Sequence, residues 1–190
     1  GFLCRWLKEI ADIAIKAGAE VPFLRPNELA SDTISKFPAL RHALKTCESI
    51  YQTEFDYLVD LDPTSPLRIA DDINNCIDLV QNSNISNVIT AMDSRRSPYF
   101  NLIEKDLNGR VVISKTVDPP PTCRQDSPQC YDMNASIYAW KKEVLLQNEI
   151  PIFLDSTELY LMPEEGSIDI DSELDAKFVE FLLKNKAMNN

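Results

Sequence analysis

The sequence predicts an α/β domain built on a mainly parallel sheet. Helical and extended hydrophobic patterns alternate along the chain, which is typical of this class. The clearest extended segment, Phe55 to Leu61, is a nearly continuous apolar run, as expected for a strand covered on both faces. Its 190 residues include 44% hydrophobic and 26% charged side chains, a globular composition. We therefore expect one domain, residues 1–190.

Two helices are predicted before this strand and a turn after it. Leu7 to Ala17 has apolar residues at helical spacing, and Gly18 suits the C′ position. Val21 to Leu24 follows as a short extended segment, and a second helix is expected from about Ser35 to Tyr51. Two prolines in Asp62 to Arg68 should turn the chain at the strand's carboxyl end, where open α/β sheets bind ligands.

The middle of the chain predicts a βαβ unit and a hairpin. A helix, Asp71 to Gln81, precedes a strand, Asn87 to Met92. Tyr99 to Glu104 and Arg110 to Ser114 then flank an Asn-Gly turn, which indicates a hairpin. A proline-rich link, Val117 to Pro128, should then carry the chain over the surface.

The last third predicts two strands and a helix. The strands are Asn134 to Trp140 and Leu159 to Met162. Asp171 or Ser172 is the expected N-cap of the final helix. The apolar stripe of this helix is formed by Leu174, Phe178, Phe181 and Leu182.

Charge and cysteine content exclude several classes of protein. A net charge of −11 disfavours nucleic-acid binding, which relies on clustered Lys and Arg. Five cysteines with no Cys-x-x-Cys pair argue against a disulfide framework or a zinc site, so free thiols are expected. No apolar run reaches the length of a membrane span. We expect a cytoplasmic protein that binds neither nucleic acid nor membranes.

An Asp-Ile-Asp sequence precedes the last helix and predicts a metal site. In an extended segment, Asp169 and Asp171 point to the same side and offer two hard oxygen ligands suited to Mg²⁺ with substrate phosphates. Alternatively, Asp171 only caps the helix and Asp169 is a solvated loop residue.

Two other groups of polar residues could bind an anionic or polyhydroxylated ligand. Pro63 to Arg68 places hydroxyls and a guanidinium at a strand end, although it could equally be a rigid surface turn. Arg124 to Asp126 and Asn134 to Tyr138 supply an arginine, amides and a phenol, although alone they are an ordinary polar loop and strand. We expect the proline-bracketed turn and the Asp-Ile-Asp carboxylates to face a common cleft.

Five segments, in this order, resemble those of the acylneuraminate cytidylyltransferases, the family that makes CMP-sialic acid and related CMP-sugars. The resemblance spans about residues 9 to 184. The matching segments are Ala19 to Asp32, Pro63 to Arg68, Arg124 to Asp126, Asn134 to Tyr138 and Asp169 to Asp175.

This resemblance implies a Rossmann-like nucleotidyltransferase in which the anomeric hydroxyl of an acidic 2-keto sugar attacks the α-phosphorus of CTP and pyrophosphate leaves. Asp169 and Asp171 resemble the family's catalytic magnesium ligands, and Arg25 resembles the residue beside the cytosine ring. The resemblance also implies a homodimer in which a protruding hairpin insertion, residues 93–128, reaches the partner's active site. Segments lining the sugar pocket contain Asp62, Arg68, Arg124, Gln125, Asn134, Tyr138 and Phe153.

Three departures from the family pattern qualify this expectation. The family's amino-terminal strand and basic, glycine-containing phosphate loop have no counterpart in Gly1 to Trp6, so we expect an N-terminally truncated fold with weak CTP binding unless a partner supplies that site. Asp62 replaces a glutamine and should repel an acidic sugar. Asn134-Ala135-Ser136 replaces the family's Asn-Gly-Ala-like run, a change that should narrow the pocket.

Three functions remain open at this point. The first is cytidylyl transfer to a sialic-acid-like sugar. The second is transfer to another 2-keto acid sugar, with Asp62 marking the difference. The third is a non-catalytic relative that acts as a binding or oligomerisation module.

Overall fold

The computed structural model describes residues 7–29, 34–147 and 152–188. Within them, the α-helices are α1 (Leu7–Lys16), α2 (Lys36–Tyr51), α3 (Ala70–Val80), α4 (Lys142–Leu145) and α5 (Glu173–Met188). The strands are β1 (Tyr57–Leu61), β2 (Asn87–Asp93), β3 (Ile103–Lys105), β4 (Val111–Ile113), β5 (Tyr131–Lys141) and β6 (Thr157–Leu161). This order confirms the predicted α/β class.

A four-stranded sheet has the order β1-β5-β2-β6. Next to β2, the Ser86 amide donates to the Ser156 carbonyl at 3.0 Å, and the Met162 amide donates to the Ala91 carbonyl at 2.8 Å. The paired positions advance together along the two segments, so β2 and β6 are parallel.

Strand β5 runs against its neighbours in this sheet. The Lys141 amide donates to the Ser86 carbonyl at 3.2 Å, whereas the Ser94 amide donates to the Cys130 carbonyl at 3.1 Å, so the partner number falls as β2 advances. On the other side, Lys142 pairs with Asp56, and Ser136 pairs with Asp62, again in opposite order. Therefore β1, β2 and β6 share one direction, as predicted for a mainly parallel sheet, and only β5 of these four strands is reversed.

The chain divides into two compact units. One contains the described residues up to Asp60 together with Leu79–Asn87 and Ala139–Glu158, and the other contains Leu61–Asp78, Val88–Tyr138 and the described residues from Leu159 onward. The predicted insertion, residues 93–128, lies entirely within the second unit. Its role as an insertion in a single domain stays a prediction.

The first unit is organised around Trp140, which is fully buried in β5. Phe37 of α2 packs edge-to-face against it, with ring centroids 5.3 Å apart. The Arg41 Nε donates to the Leu145 carbonyl at 2.7 Å, which ties α2 to the end of α4. Val21 to Leu24, predicted as a short extended segment, form neither helix nor strand.

The second unit buries apolar side chains from its strands and helices. Val88, Ile137 and Cys76 have no exposed surface, and Val179 of α5 is also buried. Helix α5 was correctly predicted, but its buried face was not, since the predicted stripe is largely exposed: Leu174 at 75%, Phe178 at 47% and Phe181 at 59%.

The predicted hairpin is present as β3 and β4, which pair antiparallel with Glu104 opposite Val112. Gly109 has a φ of 77°, a value that favours glycine. The Asp106 amide donates to the Arg110 carbonyl at 2.9 Å and closes the turn. Within the three described ranges, no helix is both long and apolar enough to span a membrane.

Candidate active site

The turn after β1 is held by the carboxylate of Asp62. Its Oδ1 accepts hydrogen bonds from the Thr64 amide at 3.0 Å and from the Thr64 hydroxyl at 2.8 Å. The Ser65 amide donates to the Asp62 carbonyl at 3.3 Å. Asx-type bonds of this kind, with a proline on each side of Thr64 and Ser65, make a stiff platform at the carboxyl end of β1.

This platform contacts the predicted Asp-Ile-Asp metal site. The Ser65 hydroxyl donates a hydrogen bond to Asp169 Oδ1, and the Ile170 amide donates to the Thr64 carbonyl at 2.9 Å. Ser65 has no exposed surface. Two segments that are far apart in sequence are thus in contact with one another, whereas a cleft shared by them stays a prediction.

Negative charge is concentrated at Asp169. Burial, followed by the neighbouring carboxylates of Asp62 and Asp171, raises the pKa of Asp169 to about 6, and the Arg68 guanidinium opposes this rise. The carboxylates therefore repel one another when ionised, and a cation bound between them would relieve the repulsion.

Asp171 is not the N-cap of α5. The Ser172 hydroxyl accepts the Asp175 amide at 3.3 Å, and Asp175 Oδ2 accepts the Ser172 amide at 2.8 Å. This reciprocal pair is a capping box, with Ser172 as the N-cap. The Asp171 side chain is exposed and does not serve the cap, so the interpretation of Asp171 as the N-cap is wrong, and its role as a metal ligand stays a prediction.

Arg68 binds the backbone of the platform. Its Nη1 donates to the carbonyls of Asp62 and Ser65, both at 2.7 Å, and lies 3.3 Å from the Ser136 carbonyl. These contacts give Arg68 a structural role in the turn and place its charge next to Asp169. The sugar-binding role that the resemblance implies for Arg68 stays a prediction.

Asn134 and Tyr138 are buried in β5, with 4% of each exposed. Asn134 Oδ1 accepts the Thr90 hydroxyl at 2.7 Å and the Ser136 amide at 3.2 Å. Its amide nitrogen lies 3.4 Å from the Met162 sulfur. Asn134 therefore organises the strand directly behind Ser65, whereas direct contact of Asn134 or Tyr138 with a sugar stays a prediction.

Arg124 and Gln125 line a cavity of about 310 Å³ in the second unit. Arg124 Nη2 donates to the Ser94 carbonyl, which fixes the guanidinium in the wall. Among the described residues, the buried Ser127 hydroxyl has no hydrogen-bond partner. With Arg96 also in the wall, the cavity offers two cations and free donors to an anionic group.

Arg25 and Phe153 belong to the first unit. Arg25 Nη2 donates to the Leu29 carbonyl, and its buried Nε has no partner in the described part of the chain. Phe153 is 64% exposed. Their predicted roles, beside the cytosine ring and in the sugar pocket, stay predictions.

Asp169 and Asp171 fit a magnesium ion as its protein ligands. Both supply carboxylate oxygens, and Mg²⁺ in phosphate-transfer sites uses one or two carboxylates with water and phosphate oxygens completing the shell. In residues 7–29, 34–147 and 152–188, no cluster of three or more His, Cys, Asp or Glu side chains could hold a metal alone.

Four residues of the site were not singled out from the sequence. Thr90 lies in a strand, and nothing near it in the sequence indicates which group its hydroxyl contacts. Arg96 and Ser127 lie in loops whose composition is ordinary. Ser65 could have been found, because a serine enclosed by two prolines at a strand end has a fixed backbone and one free hydroxyl. The other three depend on contacts between distant segments.

Known proteins resemble the chain over most of its length, although no family model matches it. Post-translational flagellin modification protein B of Campylobacter coli is 49% identical over 179 residues, 94% of this chain and 74% of that protein. CMP-N,N'-diacetyllegionaminic acid synthase of Campylobacter jejuni is 48% identical over 181 residues, 95% of this chain and 75% of that protein. The solved structure of CMP:2-keto-3-deoxy-manno-octonic acid synthetase complexed with CTP shares the fold, with a TM-score of 0.56, 14% identity, and coverage of 94% of this chain and 78% of that one.

Proposed function

This chain belongs to the family of cytidylyltransferases that activate sialic-acid-like sugars, and we propose that it transfers CMP from CTP to the anomeric hydroxyl of such a sugar. The contact between Ser65 and Asp169 carries the proposal, because it brings the proline-bracketed turn and the acidic pair into one site. The products are a CMP-sugar and pyrophosphate.

The described residues contribute mainly by positioning and by charge. Asp169 and Asp171 are proposed to receive the metal-bound triphosphate, with the platform beneath Asp169 keeping its carboxylate in place. A bound Mg²⁺ would neutralise charge that develops on the phosphate oxygens. Aligning the anomeric hydroxyl with the α-phosphorus is proposed to supply the remaining acceleration.

The cavity beside Arg124 is proposed to hold the anionic part of the sugar. Two guanidinium groups in its wall, from Arg96 and Arg124, complement a carboxylate. The unpartnered Ser127 hydroxyl and the Gln125 amide could hydrogen-bond to sugar oxygens.

N,N'-diacetyllegionaminic acid is the proposed acceptor, because the relative named for it shares 48% identity with nearly the whole chain. A pyrophosphate-release assay with CTP, Mg²⁺ and a panel of acidic sugars tests this. We expect the highest kcat/KM with the legionaminic acid derivative. Higher kcat/KM with another 2-keto acid sugar would support the second candidate function, and no pyrophosphate with any sugar would support the non-catalytic one.

Two variants distinguish turnover by this protein from pyrophosphate that contaminating enzymes release in the same assay. Asp171→Ala removes a proposed metal ligand and should abolish Mg²⁺-dependent turnover. Glu180→Ala, which removes an exposed carboxylate paired with Lys184 on α5, is the matched control and should retain full activity. Equal turnover in Asp171→Ala and the parent protein would remove Asp171 from the active site.

A homodimer formed through the β3–β4 hairpin is a second proposal. Apolar side chains on the hairpin are open to solvent, notably Ile103 at 63%, Leu107 at 106% and Val111 at 64%. A second copy could bury these side chains, as the family resemblance implies. Light scattering should show a dimer that Ile103→Glu with Val111→Glu converts to a folded monomer, and a dimer unchanged by both substitutions would contradict the proposal.

A further inference from the structure

Ser65 lies between the turn after β1 and the carboxylate of Asp169. It is fully buried, and its hydroxyl oxygen is within reach of two acceptors, Asp169 Oδ1 and the Asn134 carbonyl oxygen at 3.4 Å. A hydroxyl has only one hydrogen to donate, and a carboxylate is the stronger acceptor. The hydrogen bond therefore goes to Asp169.

The backbone of Ser65 cannot easily move away from this contact. Prolines at positions 63 and 66 restrict the turn, and the Asp62 carbonyl accepts the Ser65 amide at 3.3 Å. On the other side, the Ile170 amide is bonded to the Thr64 carbonyl at 2.9 Å. The distance between Ser65 and Asp169 is thus constrained by a rigid turn and by the backbone bond between Thr64 and Ile170, the residues next to them.

We infer that Ser65 is a positioning residue of the metal site, which holds Asp169 by one carboxylate oxygen so that the other is presented to the divalent cation. This inference rests on the proposed role of Asp169 as a metal ligand. Residues that hydrogen-bond to a metal ligand fix its orientation, and their loss typically weakens metal affinity about 10- to 100-fold.

Manganese binding provides a test that does not depend on turnover. Titration of the full chain with Mn²⁺, followed by electron paramagnetic resonance in the presence of CTP, gives a metal Kd for each variant. We expect Ser65→Ala to raise this Kd about 10-fold or more. Ser167→Ala is the matched control, because Ser167 is also buried (5% exposed) but donates to the Pro163 carbonyl at 2.9 Å, away from Asp169.

Two more variants keep the result decisive. Ser65→Cys retains a side chain of similar shape with a much weaker donor, so it should also raise the Kd if Ser65→Ala does not fold. Asp169→Asn tests the ligand itself. If Asp169→Asn weakens Mn²⁺ binding and the Ser65 variants do not, the role of Ser65 is overturned while the proposed function stands. If Asp169→Asn binds Mn²⁺ as the parent does, the metal assignment and the inference fall together.

Discussion

The Thr90 hydroxyl donates a hydrogen bond to the side-chain oxygen of Asn134 at 2.7 Å, inside the second unit where Thr90 is fully buried. The same Asn134 oxygen accepts the Ser136 amide at 3.2 Å, which closes a turn over Ala135. Ala135 has a φ of 51°, in the left-handed region. Asn134 therefore shapes the strand behind the proposed active site.

Asn134→Ala should lower the free energy of unfolding by about 1–3 kcal/mol, because the buried Ser136 amide would lose its acceptor and the Thr90 hydroxyl would keep only the Ile137 carbonyl at 3.3 Å. Urea denaturation measures this loss. Asn75→Ala, which removes an exposed amide bonded to Tyr160, should change stability by less than about 0.5 kcal/mol. A folded, equally stable Asn134→Ala protein with only a raised sugar KM would show that Asn134 acts on the substrate instead.

Ala135→Gly should stabilise the protein by about 0.5–1 kcal/mol. A left-handed conformation costs a residue with a Cβ about 1–2 kcal/mol, which exceeds the extra chain entropy that glycine loses on folding. Ala91→Gly, at a buried position in β2, is the control and should destabilise. Thermal melting of both variants measures these changes in stability. A lower Tm for Ala135→Gly than for the parent would contradict the proposed backbone strain at Ala135.

Ser172→Ala and Asp171→Ala should separate capping from catalysis. Removing the Ser172 hydroxyl breaks the capping box and should cost about 1 kcal/mol of stability. Asp171→Ala leaves the cap intact and should stay within about 0.5 kcal/mol of the parent. Chemical denaturation should therefore detect a loss of stability in Ser172→Ala, whereas metal-dependent turnover should be lost in Asp171→Ala. A large stability loss in Asp171→Ala would instead indicate a structural role for Asp171.

Asp169→Asn should stabilise the metal-free protein at neutral pH. Because the folded-state pKa of Asp169 is raised to about 6 from an unfolded value near 4, ionisation above that pH disfavours the folded state. The parent should lose stability as the pH rises from about 4 to 6, and the asparagine variant should lack this loss.

Melting curves with EDTA, collected from pH 4 to pH 8, measure the effect. The Tm difference between Asp169→Asn and the parent should grow as the pH rises from about 4 to 6 and should level off at higher pH. Glu180→Gln, at an exposed ion pair, controls for general charge effects. A Tm difference that does not vary with pH would show that ionisation of Asp169 does not destabilise the folded protein.

Patterns within short segments predicted most helices and strands. Apolar spacing and a C′ glycine located α1, where Gly18 has a φ of 92°. The apolar run before the prolines located β1, and the Asn-Gly pair located the β3–β4 turn. These features depend on backbone preference and hydrophobic periodicity, which are determined by residues close together in the sequence.

The candidate site was predicted only in part. The Asp-Ile-Asp sequence and the proline-bracketed turn were identified, and they are in contact through Ser65, while the cleft that they were expected to share stays a prediction. The burial of Asn134 and the contribution of Thr90 were not predicted, because both follow from the pairing of β5 with β2. A residue's partner across a sheet cannot be obtained from its own segment.

Sequence alone determined where most of the elements lie and the family of the chain, and it led to the proposal of two segments for the chemistry. The tertiary structure decided that β5 runs against its neighbours, that the predicted apolar stripe of α5 is largely exposed while Val179 is buried, and that Ser172 caps this helix while Asp171 is left exposed. The physical reason is the range of the forces involved. Periodicity and turn preference act over a few residues, whereas strand order, burial and the charge around Asp169 depend on groups brought together from distant parts of the chain.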